Sequence, residues 1–168
     1  MKIAISDANV AIDLYSIGAL EKFLSASFFE IHITDFVFAE LKDNNLRKII
    51  ESSAVTIHQF KPSEIIEIDA IKESCGISLQ DSSCIYYAIQ LKDTMILSGD
   101  KKLKKQAEKK YSLQVRGTIY IILEMLKEKV INNDECQVYL TQLKEKNTRM
   151  PTAEIDEIIE ALKNIKKL

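Results

Sequence analysis

The sequence is poor in the residues that make tight turns and covalent cross-links. Its 168 residues include four glycines, two prolines and no tryptophan, a composition that argues against disorder and against an all-β fold with many turns. The three cysteines, Cys75, Cys84 and Cys136, form no C-x-x-C pair and leave an odd one over. We therefore expect reduced thiols in a cytoplasmic protein, with neither a zinc site nor a disulfide framework.

Strong net charge and long apolar runs are also lacking. A formal net charge of -2 provides no general attraction for nucleic acid, so any RNA contact requires a local basic patch. No apolar run approaches the roughly 18 residues that a membrane span needs, and the one at the start of the chain is too short for a signal peptide. We expect no membrane association. An apolar content of 46% fits a globular protein with a substantial core.

Segments with strand and helix patterns alternate along the chain. Short apolar or alternating runs predict strands at about residues 2–6, 30–34, 55–60, 94–97 and 113–116. Helical patterns fill the intervals, one of them from Ile17 to Leu24, so the predicted fold class is α/β: a three-layer α/β/α sandwich around a mainly parallel, about five-stranded sheet. We expect a main domain over residues 1–131 and a C-terminal helical extension over residues 132–168, which packs on the same domain or on a partner.

Four acidic residues occur where this fold would bring them together. Asp7 and Asp100 follow two predicted strands, Asp81 begins the most apolar helix, and Glu40 borders a buried helix face. Each alone has an ordinary explanation, since aspartate is a favoured N-cap, Asp81 stands three residues after Ser78 in a capping-box-like pattern, and Glu40 suits an exposed helix position. Together they would repel one another at one edge of the sheet. Mg²⁺ or Mn²⁺ relieves such repulsion and prefers oxygen ligands.

Four segments of the sequence resemble the four motif blocks of PIN-domain ribonucleases, in order and spacing, over about residues 1–130. They are Ile5-Ser-Asp7-Ala-Asn9-Val-Ala-Ile, Phe38-Ala-Glu40-Leu, Leu79-Gln-Asp81-Ser-Ser-Cys-Ile-Tyr-Tyr-Ala88 and Leu97-Ser-Gly-Asp100-Lys-Lys-Leu. A further segment, Val115-Arg-Gly-Thr118-Ile before an apolar helix, resembles a VapC-like subgroup.

This resemblance implies a PIN-like nuclease domain with the activity of a Mg²⁺- or Mn²⁺-dependent endoribonuclease. Members are often homodimers and often the toxin of a toxin–antitoxin pair, so an antitoxin protein is an expected partner beside the RNA substrate. The resemblance assigns the metal-binding and catalytic roles to Asp7, Glu40, Asp81 and Asp100. It assigns supporting hydrogen-bonding roles to Asn9 and Ser98.

A lysine-rich helical pattern follows Asp100 and offers a basic surface beside the acids. We expect Lys101, Lys102 and Lys105 to bind RNA phosphates there, although an ordinary solvated helix face explains the pattern equally well. His32 and His58 fall in strand patterns, where structural roles are expected.

Other function classes fit the sequence less well. A response-regulator-type phosphoacceptor domain needs an aspartate after the third strand, where Gln59-Phe60-Lys61 stands, and a lysine after the fifth, where Arg116 stands. A haloacid-dehalogenase-like phosphatase needs a second aspartate where Asn9 stands. The alternative that remains is a non-catalytic PIN-like domain that acts in protein or RNA binding.

Overall fold

The computed structural model describes residues 2–165 and contains a five-stranded, all-parallel sheet. The strands are β1 (Lys2–Ser6), β2 (Phe29–Thr34), β3 (Thr56–His58), β4 (Thr94–Leu97) and β5 (Gln114–Arg116). Their order across the sheet is β3-β2-β1-β4-β5. The central strand β1 lies in register with both neighbours, so that Ile5 pairs with His32 of β2 and Ile96 of β4. The predicted parallel α/β/α sandwich is confirmed.

Ten helices connect and cover the strands within the described range. They are α1 (Ala8–Ser16), α2 (Leu20–Ser25), α3 (Asp35–Glu40), α4 (Asn44–Glu51), α5 (Pro62–Cys75), α6 (Leu79–Leu91), α7 (Lys101–Tyr111), α8 (Thr118–Lys127), α9 (Asn133–Lys146) and α10 (Thr152–Ile165). None of these helices, in residues 2–165, is both long and apolar enough to cross a membrane.

The strand order assigns the helices to the two faces of the sheet. With right-handed crossovers, α1 and α2 cover one face while α5, α6 and α7 cover the other. Helices α8 and α9 contact α1 and therefore lie on its face. The core side chains of Ile5, Ile85, Ile96 and Ile121 are 0% exposed.

Local capping chemistry sets most of the helix boundaries. Thr34 caps α3, because its hydroxyl accepts from the amide of Val37 at 3.2 Å. Helix α5 ends at Cys75, and the next residue, Gly76, has a φ of 61°, a left-handed conformation that favours glycine. The predicted start of α2 at Ile17 is wrong, since Gly18 has a φ of 72° and the helix begins only at Leu20.

Helix α9 packs on the same domain as the strands. Its residues Cys136, Leu140 and Leu143 are 0% exposed and belong to the main core cluster. Helix α10 packs on α9, and the last residues of the predicted extension, 166–168, lie outside the described residues. The boundary at residue 131 stays a prediction.

Candidate acidic site

Asp7 is held at the carboxyl edge of the sheet by its backbone and by one carboxylate oxygen. Its amide donates to the carbonyl of Leu97 at the end of β4 (2.9 Å). Its Oδ1 accepts from the amide of Val10 at 2.8 Å, so Asp7 caps α1 as an N-cap aspartate should. The residue is only 4% exposed. Within residues 2–165, Oδ2 is buried and has no partner with hydrogen-bond geometry.

This environment makes Asp7 a weak acid. Burial raises the pKa of its carboxyl from 3.8 to about 7, although interactions with the Ser98 hydroxyl and the Val10 amide oppose the rise. The negative charges of Asp81 and Asp13 add to it. Near neutral pH this carboxyl is therefore only partly ionised, because burial disfavours its charged form.

Asp81 interacts electrostatically with each of the other three acids. It lies half-buried in the first turn of α6, which Ser78 caps by accepting from the amide of Asp81 (3.0 Å). Burial raises the pKa of Asp81, hydrogen bonding with Ser78 opposes this, and the charge of Asp100 raises it further. The charge of Asp81 in turn raises the pKa of Asp7 and of Glu40.

Cys84, one turn along α6 from Asp81, is influenced by the charges of three of the acids. It is fully buried, and burial raises its pKa well above the usual range. The charges of Asp7, Asp81 and Glu40 each raise that pKa further. Asp7 after β1, Glu40 on α3 and Asp81 on α6 therefore all act electrostatically on the same buried position.

Asp100 and Ser98 occupy the turn between β4 and α7. Asp100 is exposed and caps α7, with its Oδ1 accepting from the amide of Leu103 at 2.7 Å. Ser98 is buried, its hydroxyl accepts from the amide of Asp100 (3.1 Å), and its amide donates to the carbonyl of Arg116 (2.8 Å). Ser98 thus fixes the turn that presents Asp100 at the same edge as Asp7.

Glu40 and Asn9 lie at the periphery of the acidic site. Glu40 is the last residue of α3 and is exposed; partial desolvation of its carboxyl, and then the charge of Asp81, raise its pKa. Asn9 is exposed in the first turn of α1, directly after the cap residue and Ala8.

The donor chemistry of these acids suits a divalent metal ion, but the side chains are not drawn together around one point. In residues 2–165 no group of three or more His, Cys, Asp or Glu side chains is arranged to hold a metal ion. The buried Oδ2 of Asp7 and the raised pKa of Asp81 nevertheless fit a hard cation, which both groups need as a counter-charge. A cap role and a ligand role are compatible, since each carboxylate has a second oxygen.

The lysines predicted to bind RNA differ in their environments. Lys102 donates a hydrogen bond to the carbonyl of Gly76, at the C-terminal end of α5, where a cation is favoured. Lys110 likewise donates to the carbonyl of Ser74 at 2.6 Å. Lys101 and Lys105 are exposed on α7. Lys102 therefore has a structural contact that the sequence does not reveal.

The two histidines, on β2 and β3, pack with the tyrosines of α6 in one aromatic cluster. His32 is buried, and its Nδ1 shares a hydrogen bond of 2.8 Å with the hydroxyl of Tyr87. The ring of His58 stacks on Tyr87 with centroids 4.0 Å apart. Tyr86 and Tyr87 are both buried, so these aromatic residues have a structural role in the core.

One further carboxylate, Asp13, lies near the acids and was not predicted. It is half-buried in α1, and its two oxygens accept from the hydroxyl of Thr118 (3.1 Å) and from the side-chain amide of Asn147 (2.9 Å). Burial raises the pKa of Asp13 despite both hydrogen bonds. The sequence signal was its position as a charged residue between Ala11 and Leu14 in an apolar helix.

A family model described as a PIN domain matches residues 3–164, nearly the whole chain and both C-terminal helices. The chain belongs to the PIN-domain family, whose fold is of nuclease type. The resemblance seen in the four sequence blocks is thereby confirmed at the level of the family, and the VapC-like subgroup stays a prediction. No significant match is found among curated proteins.

Proposed function

We propose that the protein is a Mg²⁺- or Mn²⁺-dependent endoribonuclease that hydrolyses RNA phosphodiester bonds at the acidic site. The observation that carries this proposal is the buried carboxylate of Asp7, whose Oδ2 has no hydrogen-bond partner within residues 2–165 and whose pKa is raised by burial and by the charge of Asp81. A buried carboxylate with an unsatisfied oxygen lowers the stability of the fold. A destabilising residue of this kind is typical of a functional site.

Asp7, Glu40, Asp81 and Asp100 are the residues that would hold one or two divalent ions. A bound ion supplies the activation of a water molecule and the stabilisation of the leaving oxygen in phosphodiester hydrolysis. The chain's own contribution is to orient the acids: Ser98 holds the backbone of Asp100, and the caps of α1 and α7 fix one oxygen of Asp7 and one of Asp100. We assign supporting roles to Ser98 and Asn9.

Lys101 and Lys105 are exposed in the first two turns of α7, the helix that Asp100 caps, so they suit phosphates that flank the cut. Lys102 can contribute only by giving up its contact with Gly76. A toxin role with an antitoxin protein, a homodimeric state and a cytoplasmic location accompany this proposal as predictions from the family resemblance and from the cysteine content.

The experiment is cleavage of a pool of single-stranded and structured RNA with Mg²⁺ or Mn²⁺, with EDTA as the control. Wild type is compared with Asp7→Asn, Asp100→Asn and a matched surface variant, Asp43→Asn. Asp43 also caps a helix, with its Oδ1 accepting from the amides of Asn45 and Leu46 (2.8 and 3.0 Å). We expect metal-dependent cutting by wild type and by Asp43→Asn, and a loss of about a hundredfold or more in each acidic-site variant. Equal cutting by all four proteins would indicate a contaminant and refute the assignment.

A second function, a non-catalytic PIN-like domain that binds protein or RNA, is favoured by one observation. The described residues contain no group of three side chains already placed around a metal position. This account predicts a folded protein that cuts no RNA under any metal condition. Asp7 and Asp100 would then serve only as helix caps.

A further inference from the structure

The linker between α9 and α10, residues 147–151, is tied to α1 by a side-chain amide. Asn147 donates from Nδ2 to Oδ1 of Asp13 (2.9 Å) and accepts at Oδ1 from the amide of Arg149 (3.0 Å). The amide orientation is fixed by this chemistry, since a carboxylate needs a donor and a backbone N–H needs an acceptor. The amide of Met150 also donates to the carbonyl of Asn147 (3.1 Å), which closes a turn around Arg149.

Asp13 connects this linker to the acidic site. Thr118, which donates to Asp13 at 3.1 Å, is the first residue of α8 and follows β5 by one residue. The end of β5 is bound in turn to Ser98, through the carbonyl of Arg116 (2.8 Å). The charge of Asp13 also reaches Asp7. The linker therefore packs against α1, on the side where α8 begins after the end of β5.

Arg149 brings a positive charge to this side of the site. Its side chain is exposed, while its charge acts on Asp13. The other two arginines of the chain lie over aromatic rings, Arg47 at 4.3 Å from the centroid of Phe38 and Arg116 at 5.7 Å from that of Tyr120. A guanidinium group matches the geometry of a phosphate with two parallel hydrogen bonds. A cluster of carboxylates repels a polyanion such as RNA, and a cation beside the cluster offsets this repulsion.

We propose that Arg149 binds an RNA phosphate next to the one that is cleaved, and that the hydrogen bonds of Asn147 to Asp13 and to the amide of Arg149 hold it in position. This inference rests on the proposed RNA hydrolysis and adds a substrate-binding residue from the C-terminal part of the chain. It also gives the linker between α9 and α10 a role in binding the substrate.

The test measures RNA binding apart from cleavage. The probe is a fluorescently labelled single-stranded RNA of mixed sequence, titrated by anisotropy at several salt concentrations with Mg²⁺ in the Asp100→Asn background. The variants are Arg149→Gln, Arg149→Lys and Asn147→Ala, and the control is Lys163→Gln, which removes an exposed cation paired with Glu160 on α10. Thermal unfolding of each variant verifies the fold, and cleavage kinetics in the otherwise wild-type chain separate KM from kcat.

We expect Arg149→Gln to weaken RNA binding about tenfold at low salt and to reduce the slope of log affinity against log salt by about 0.7, the value for one lost phosphate contact on a single strand. Arg149→Lys should restore the slope and part of the affinity, because it keeps the charge and loses the fork. Asn147→Ala should weaken binding and keep the slope. In cleavage, Arg149→Gln should raise KM with little change in kcat.

The outcomes separate this inference from the function on which it rests. If the wild type cuts RNA and Arg149→Gln behaves like Lys163→Gln, the nuclease stands and the role of Arg149 is overturned. If the wild type binds RNA without cutting it, the nuclease fails, and the affinity of Arg149→Gln still decides the role of Arg149. A wild type that binds no RNA overturns both.

Discussion

Replacing Asp7 by asparagine should make the metal-free protein more stable. Asparagine keeps an oxygen that can accept from the amide of Val10, so the cap of α1 survives, and it removes the buried negative charge. The pKa of Asp7 is about 7 in the folded chain and 3.8 as its ordinary value. At about 1.4 kcal/mol for each tenfold change in proton affinity, ionised Asp7 costs the fold on the order of 4 kcal/mol.

The cost depends on pH in a defined direction. A carboxyl whose pKa is raised by folding binds its proton more tightly in the folded chain, so this component of stability increases as the pH falls from about 8 towards 4. The gain from Asp7→Asn should therefore be about 4 kcal/mol at pH 8.5 and below about 2 kcal/mol at pH 5. The raised pKa values of Asp13, Glu40 and Asp81 act in the same direction in both proteins, so the difference between the two proteins mainly reports Asp7.

Denaturant unfolding with EDTA at pH 5 and pH 8.5 measures the effect. The control is Asp43→Asn, which keeps a cap on α4 at an exposed position, where we expect a change within about 0.5 kcal/mol. The reasoning is refuted if Asp7→Asn gains no more than Asp43→Asn at pH 8.5. It is refuted equally by a gain of the same size at both pH values, because a charge on Asp7 could not then be its source.

Two further predictions concern metal binding and the C-terminal helices. Mn²⁺ at about 100 times its dissociation constant should stabilise wild type by about 2.7 kcal/mol at pH 8.5. The stabilisation should be smaller at pH 5, where protons compete with the metal for the carboxylates. A melting temperature that does not respond to Mn²⁺, or that rises as much in Asp7→Asn as in wild type, would contradict the metal site. Leu143→Ala truncates a side chain of α9 that is 0% exposed, and it should lower the free energy of unfolding by about 2–5 kcal/mol in one transition. Val138→Ala, at a position 51% exposed on the same helix, should lower it by less than about 1 kcal/mol. Equal effects of these two substitutions would mean that α9 does not share the core of the domain.

The parts of the fold that rest on local chemistry could be predicted from the sequence. Strands β1 and β4 have the predicted bounds, because both are central and every residue of β4 is buried, which gives a continuous apolar run. Edge strand β3 is shorter than its pattern, spanning Thr56–His58, since a strand with one neighbour stops where its pairing stops. The positions of Asp7 and Asp100 followed from the rule that parallel strands end at one edge.

Contacts between residues distant in the sequence could not be predicted in this way. Asp13 meets Thr118 and Asn147 across 105 and 134 residues of chain, and no periodicity encodes such a meeting. The same holds for Lys102, which looks like its neighbours on α7 and yet reaches the carbonyl of Gly76. What the sequence does carry at Asp13 is a local conflict, a charged side chain on an apolar helix, and such conflicts often mark functional positions.

Burial separates Asp7 from the exposed capping aspartates and supports the ligand role proposed for this residue. Asp7, Asp43 and Asp100 all cap helices through Oδ1, so capping alone does not separate a structural aspartate from a ligand. Among these three, only Asp7 is buried, and a buried carboxylate with an unsatisfied oxygen lowers stability by more than the roughly 1 kcal/mol that a cap contributes. Capping is then the means by which the fold directs the carboxylate: α1 fixes Oδ1, and the orientation of Oδ2 follows without further loss of side-chain entropy. A structural cap gains nothing from burial at such a cost, whereas a metal ligand gains orientation and exclusion of water.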